Sequence, residues 1–155
     1  MDDDLVVAVE PPGSADARHC LGAYAAELDS RFDTGFDPDH SIPVTADELT
    51  EPNGLLMLAR LRGEPVGCGG LKLHGDEPAE IKRLWVAASA RGLGVARRLL
   101  DELEAQARQR GVRVLHLDTN KDLTEAISLY RSTGWVEVDR FNDEPYAHHW
   151  FEKHL

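Results

Sequence analysis

The spacing of apolar residues along the 155-residue chain changes several times, and each change marks an element. Leu5 to Val9 is an unbroken apolar run stopped by Pro11-Pro12-Gly13, the pattern of a strand. Ser14 then stands as a helix cap, and Leu21, Tyr24, Ala25 and Leu28 recur at helical spacing through Ser30. Gly35, Pro38 and Pro43 punctuate RFDTGFDPDHSIP into a loop or broken helix, and a short helix is predicted near Ala46 to Leu49. Leu55–Arg62 and Val66–Leu73 read as the arms of a hairpin turned by Gly63-Glu64-Pro65. A second turn at Gly75 to Pro78 leads into a strand over Glu80–Val86.

Past this strand the period becomes helical. Val95, Ala96, Leu99, Leu100, Leu103 and Ala107 make one apolar stripe, and Arg97/Asp101 and Arg98/Glu102 are opposite charges at i,i+4. Gly111 ends the helix and the strand VRVLHLDT follows. Asp122-Leu123-Thr124-Glu125 resembles a capping box for a helix whose apolar face carries Leu123, Ala126, Ile127 and Tyr130 and which Gly134 closes. Trp135–Val138 and Tyr146–Phe151 are the final strands. The order β-α-α-β-β-β-α-β-α-β-β predicts one mixed α/β domain over residues 1–155, without internal repeats.

Composition narrows the function. The net charge of −11 argues against nucleic acid as a partner, because phosphate binding needs a basic face. Residues 1–51 hold 13 acidic against 2 basic side chains while the remainder hold 15 of each, so the whole excess lies in the first third. That segment is read either as a solvated face or as the border of a site for a cationic substrate. No segment approaches the ~20 apolar residues of a membrane helix. Acids also occupy the start, MDDDLVVAVE, where a secretion signal needs bases. Cys20 and Cys68 give neither a disulfide framework nor a metal spacing, and AHHWFEKHL lacks the HExxH pattern, so a reduced, cytoplasmic, metal-free protein is expected.

The stretch that invites chemistry is EIKRLWVAASARGLGVARRLL, where a strand feeds a helix through small residues. Such a junction leaves amides unpaired at the positive end of the helix, and glycine lets an anion approach them. A Walker loop would need Lys and Ser or Thr after its second glycine, but Val95-Ala96 follow Gly94. A dinucleotide fingerprint would need a small residue where Arg97 stands. The segment instead resembles the acetyl-CoA motif (Q/R)-x-x-G-x-(G/A) of the GNAT superfamily of N-acetyltransferases, matched by Arg91, Gly94 and Ala96. EAISLYRSTGWVEV looks like that family's second motif, and the order of elements agrees from Val6 onward.

The resemblance implies a mixed, mostly antiparallel sheet flanked by helices, with acetyl-CoA as cosubstrate. It implies that Arg91, Gly92, Leu93, Gly94, Val95 and Ala96 surround the pyrophosphate, with Arg97 or Arg98 as candidates for the 3′-phosphate. Leu84 and Val86 would hold the pantetheine arm, the Val86 N–H serving the oxyanion. Many relatives carry Asn where Leu123 stands, so Asn120 is the substitute contact. Glu80, eleven residues before Arg91, matches the family's general base, acting directly or through water, and Tyr130 matches its acid. The alternative roles are a strand carboxylate paired with Lys82 or Arg83, and a core tyrosine. Cys68, among glycines, reads as close strand packing rather than a nucleophile. In this family the segment between the first two strands lines the acceptor side, which makes Glu27, Arg31, Phe32 and Phe36 candidate acceptor contacts. A small cationic amine is the expected acceptor, with a peptide amine as the other option. A non-catalytic acetyl-CoA sensor on the same fold is the rival reading, and dimerisation through the last strands is common in the family.

Overall fold

The computed structural model describes residues 4–75 and 77–155. The extended runs form seven strands of one sheet: β1 (Leu5–Val9), β2 (Gly54–Leu61), β3 (Glu64–His74), β4 (Glu77–Val86), β5 (Val114–Thr119), β6 (Val136–Val138) and β7 (His149–His154). Their spatial order is β1-β2-β3-β4-β5-β7-β6, antiparallel at every pairing except β4 with β5. Three α-helices connect them: α1 (Ala15–Arg31), α2 (Val95–Gln109) and α3 (Thr124–Ser132). No helix among the described residues is long and apolar enough to cross a membrane.

The sheet is covered on both faces, and β2 shows how the sequence arranges it. Leu55, Met57 and Ala59 point to one side and join Val95, Leu99, Leu100, Leu103 and Ala107 of α2, Ile127 and Tyr130 of α3, and Phe151. Leu56 and Leu58 point to the other and join Ala17 and Cys20 of α1, Leu49, Cys68 and Trp85. An unbroken apolar strand is what a doubly covered sheet requires. Each of the fully buried leucines of α2 contributes about 1.5–3 kcal/mol through burial. Close approach of α2 to β3 explains the glycines around Cys68: a Cβ on Gly69 would stand 2.8 Å from Leu103 Cδ1.

Several boundaries differ from expectation. The predicted helix near Ala46–Leu49 is a single 3₁₀ turn, Asp47–Leu49. β4 begins at Glu77 rather than Glu80, because pairing with β3 continues to His74. The last strand begins at His149, since Tyr146 and Ala147 belong to a turn in which the Ala147 N–H bonds the Glu144 carbonyl at 3.2 Å. The Asp122 capping box does not form: Leu123 is the N-cap of α3, with no side-chain cap. The Asp122 carbonyl instead accepts from the Arg31 guanidinium at 2.9 Å. Of the two predicted charge pairs on α2, Arg98–Glu102 closes at 3.3 Å, whereas Arg97 has no carboxylate partner among the described residues.

Candidate active site

β4 and β5 pair at only two rows, Ala79↔Leu115 and Glu80↔His116. Beyond these rows β4 continues to Val86 and β5 to Thr119, so strands joined at one end part at the other. Their parted edges leave main-chain groups that need partners. Because the Ala87 N–H donates to the Val66 carbonyl at 2.8 Å, the alternation of an antiparallel ladder turns the Val86 N–H away from β3 and into the gap.

The gap is a cavity of about 390 Å³. One stripe of α1 walls it with Tyr24, Glu27, Leu28 and Arg31, continued by Phe32. Tyr24, Leu28 and Phe32 share that side because they are four residues apart. The other walls include residues 81–86 of β4, the loop into α2, the end of β5 through Asn120, the inner side of α3 with Ala126, Leu129 and Tyr130, and the loops that carry Phe36 and Tyr146.

At one end lies the glycine loop. Gly92 and Gly94 have φ of 81° and 78°, and the place a Cβ would take is open at both. Glycine is thus required there by backbone conformation, and its openness leaves room for a ligand. Gly94 is the N-cap of α2 and offers no side-chain cap. The first bond inside the helix is Arg98 N–H to the Gly94 carbonyl at 3.0 Å, so the amides of Val95, Ala96 and Arg97 have no intrahelical partner. Free donors at the positive end of a 15-residue helix, facing a concave wall, fit a diphosphate.

In and beside the cavity stand titratable groups in unusual settings. Tyr130 is 5% exposed and packs against Trp135 and Phe151. Burial pushes its phenol well up, reinforced by Tyr24 and Asp118, so it keeps its proton at neutral pH. Lys82 Nζ lies 3.1 Å from Glu80 Oε2 and 3.6 Å from Asp118 Oδ2. Burial alone would lower the Lys82 ammonium, but Asp118 and Glu80 outweigh it and hold the group above its ordinary value. For Glu80, burial acts to raise the carboxyl, and Lys82 and His74 overcome it to bring it down. Asn142 Nδ2 donates to Asp118 Oδ2 at 2.9 Å and fixes that carboxylate from the β6–β7 connection.

Residues 23–135 match the model of the Acetyltransferase (GNAT) family. The chain belongs to this family. A relative, the IAA acetyltransferase of Azospirillum brasilense, is 35% identical over a stretch covering 64% of the chain. The chain in turn spans 64% of that relative's length. Among solved structures, a GNAT acetyltransferase from Staphylococcus aureus superposes with a TM-score of 0.82 at 16% identity, covering 97% of this chain and 99% of that one. A GNAT acetyltransferase from Elizabethkingia anophelis, solved with acetyl-CoA bound, gives 0.62 at 18% identity over 99% of each chain. At these identities both likenesses concern the GNAT fold.

Against this GNAT framework, the expected site residues divide. Leu84, Val86, Arg91, Gly92, Gly94, Val95, Ala96, Asn120 and Tyr130 line the cavity, as do Glu27, Arg31, Phe32 and Phe36. Leu93 is 56% exposed and points away from the wall. Glu80 is not on the wall either: its Oε1 lies 2.7 Å from His74 Nε2 and its Oε2 faces Lys82. Asn120 spends its side chain on the turn, donating to the Tyr146 carbonyl and accepting from the Asp122 N–H, both at 2.8 Å. Glu27 is paired with Arg91 and Arg31, and Arg31 with Glu125. Sequence reading missed Tyr24, Lys82, Arg83, Asp118 and Tyr146, all on the wall. The available signal was modest: Asp118 holds a polar position in the alternation of VLHLDT near the carboxyl end of a strand, where α/β sheets bind ligands.

Proposed function

We propose that this chain transfers an acetyl group from acetyl-CoA to the nitrogen of a primary amine. The observation that carries the reading is the parted β4–β5 edge, which opens onto an uncapped glycine loop at one end and a buried, protonated tyrosine at the other. The relative named as an acetyltransferase and the neighbour solved with acetyl-CoA support it.

Acetyl-CoA supplies an acyl thioester. The amides of residues 92 to 97, with Arg97, bind its diphosphate end, while Leu84 and Val86 carry the pantetheine arm along the free edge of β4. The Val86 N–H is a donor for the oxygen that gains charge when nitrogen attacks. Tyr130 holds a phenolic proton for the leaving sulfur; a thiol's ordinary pKa of about 8.5 makes such a donor useful. A lysine-like amine, with a pKa of about 10.4, must lose a proton. Asp118, a carboxylate of the wall, receives it, and Glu80 acts one step removed by fixing Lys82 beside Asp118. The sequence-based assignment of the base to Glu80 becomes, in this reading, an indirect role.

The test is an amine screen with acetyl-CoA that reads released thiol, with calorimetric binding of acetyl-CoA measured in parallel. Tyr130→Phe is expected to lower kcat by about 10²- to 10⁴-fold while leaving acetyl-CoA affinity within about twofold. Tight acetyl-CoA binding with no turnover across the screen would favour a sensor instead, and absence of binding would end the proposal.

A further inference from the structure

Five cationic side chains line the cavity: Arg31, Lys82, Arg83, Arg91 and Arg97. Carboxylates claim three of them, Glu125 for Arg31, Glu27 for Arg91, and Glu80 with Asp118 for Lys82. Arg97 stands in the first turn of α2, beside the amides assigned to the diphosphate. Arg83 is left over, with no ion-pair partner among the described residues; the Tyr24 phenol is its polar neighbour.

Two features of the fold aim this group. β4 presents its parted edge to the cavity, so residues 81–86 all line it, Arg83 among them. The strand is also bulged at this point: β3 pairs Cys68 with Trp85 and then Gly70 with Lys82, so β4 carries one residue more than β3 across that interval. Arg83 takes up the extra length at φ 59°, a left-handed conformation that is unfavourable for arginine. Backbone strain held in place at a cavity wall points to function rather than packing. The guanidinium carbon sits 5.5 Å from the centre of the Tyr24 ring, which holds the group at the wall and leaves donors of its fork for a ligand. Asp118 lines the same cavity as Arg83 and Tyr24. Further along the α1 side, Phe32, Phe36 and Tyr146 stack into an aromatic cluster with centroids 4.9–6.0 Å apart.

We infer that Arg83 receives a carboxylate of the acceptor, which is therefore an amino-acid-like zwitterion with an apolar side chain resting on Phe32, Phe36 and Tyr146. This rests on the acetyl-transfer reading for the identity of the nitrogen. The acid group is recognised by a planar, two-pronged donor that matches carboxylate geometry, and the ammonium by Asp118. A coenzyme phosphate is the other anion present in such a site, so the two sources must be separated experimentally.

Calorimetry on the full chain without coenzyme would compare N-acetyl-phenylalanine, N-acetyl-leucine and N-acetyl-methionine, each with its carboxamide. At least one acid is expected to bind tenfold or more tightly than its amide. Arg83→Gln is expected to erase that preference, Arg83→Lys to restore part of it, and neither to move the acetyl-CoA dissociation constant beyond twofold. Should the Gln variant fail to fold, the acid-to-amide ratio of the unaltered chain still decides. Equal binding of acids and amides, binding of neither, or a loss of acetyl-CoA affinity in Arg83→Gln would each overturn the assignment. Collapse of the acetyl-transfer reading would show differently, as no acetyl-CoA binding by the unaltered chain.

Discussion

Tyr130 and Asp118 sit on the same cavity and carry opposite demands. Tyr130, on the inner side of α3 and almost fully buried, keeps its proton well above neutral pH. Asp118, at the end of β5, is held by Asn142 and faced by Lys82. Glu80 lies one turn of the charge network further out, bonded to His74 and Lys82. If the proton passes to Asp118, Asp118→Asn lowers kcat/KM by about 10²-fold or more, and Glu80→Gln by less than about tenfold. The reverse order in steady-state kinetics would return the base to Glu80. Tyr130 was legible from the sequence because a tyrosine inside EAISLYRSTGW resembles a known motif. Asp118 and Arg83 were not, because each owes its place to partners far away in the chain: Asn142 is 24 positions from Asp118, and the Tyr24 that carries Arg83 lies on another element.

At the level of elements, the loop between β4 and α2 and the stripe of α1 are built on different logic. The loop is specified locally, since glycines at φ 78° and 81° are the residues that reach that conformation without strain. Gly94→Ala puts a Cβ into open space but forces alanine into the left-handed region. Its expected cost is about 1–2 kcal/mol, seen as a melting temperature lower by about 2–8 °C, together with weaker acetyl-CoA binding. An unchanged melting temperature and affinity would mean that the loop adapts. By contrast, the start of α3 shows a local signal overruled. Asp122 has the composition of a cap, yet the N-cap is Leu123 and the helix begins uncapped at Thr124, while the Asp122 main chain bonds Arg31 and Asn120. The bulge in β4 likewise has no signature in KRLWV, because register is set by pairing with β3.

Across the whole molecule, the acidic first third is largely spent on pairing. Glu10 and Asp16 meet Arg60, Glu27 meets Arg91, Glu48 meets Lys72 and Glu51 meets Arg110, so acids of the first third bind cations of the rest. Arg31 and Glu125 extend this across the cavity, joining α1 to α3 in a two-pronged pair. Arg31 pulls the Glu125 carboxyl down to about 2. A lowered folded-state value means stabilisation that is present above the ordinary carboxyl pKa of about 4.3 and is lost as pH falls toward 2. Because the Glu125 side chain is half exposed, solvent screens the pair to about 0.5–1 kcal/mol. Glu125→Gln is therefore expected to melt about 1–4 °C lower at pH 7, with the gap closing as pH falls from about 4.3 toward 2. Melting curves over that range check it, and a gap independent of pH would remove the ion pair from the account.

The sequence by itself determined the elements, the two covered faces of the sheet and the glycine loop, because period, capping glycines and turn residues act within a few neighbours along the chain. Tertiary structure alone decided which charges stay free and which are spent. Ion pairs, the splay of β4 from β5, and the bulge at Arg83 all depend on residues brought together from distant parts of the chain, and no local pattern encodes that meeting.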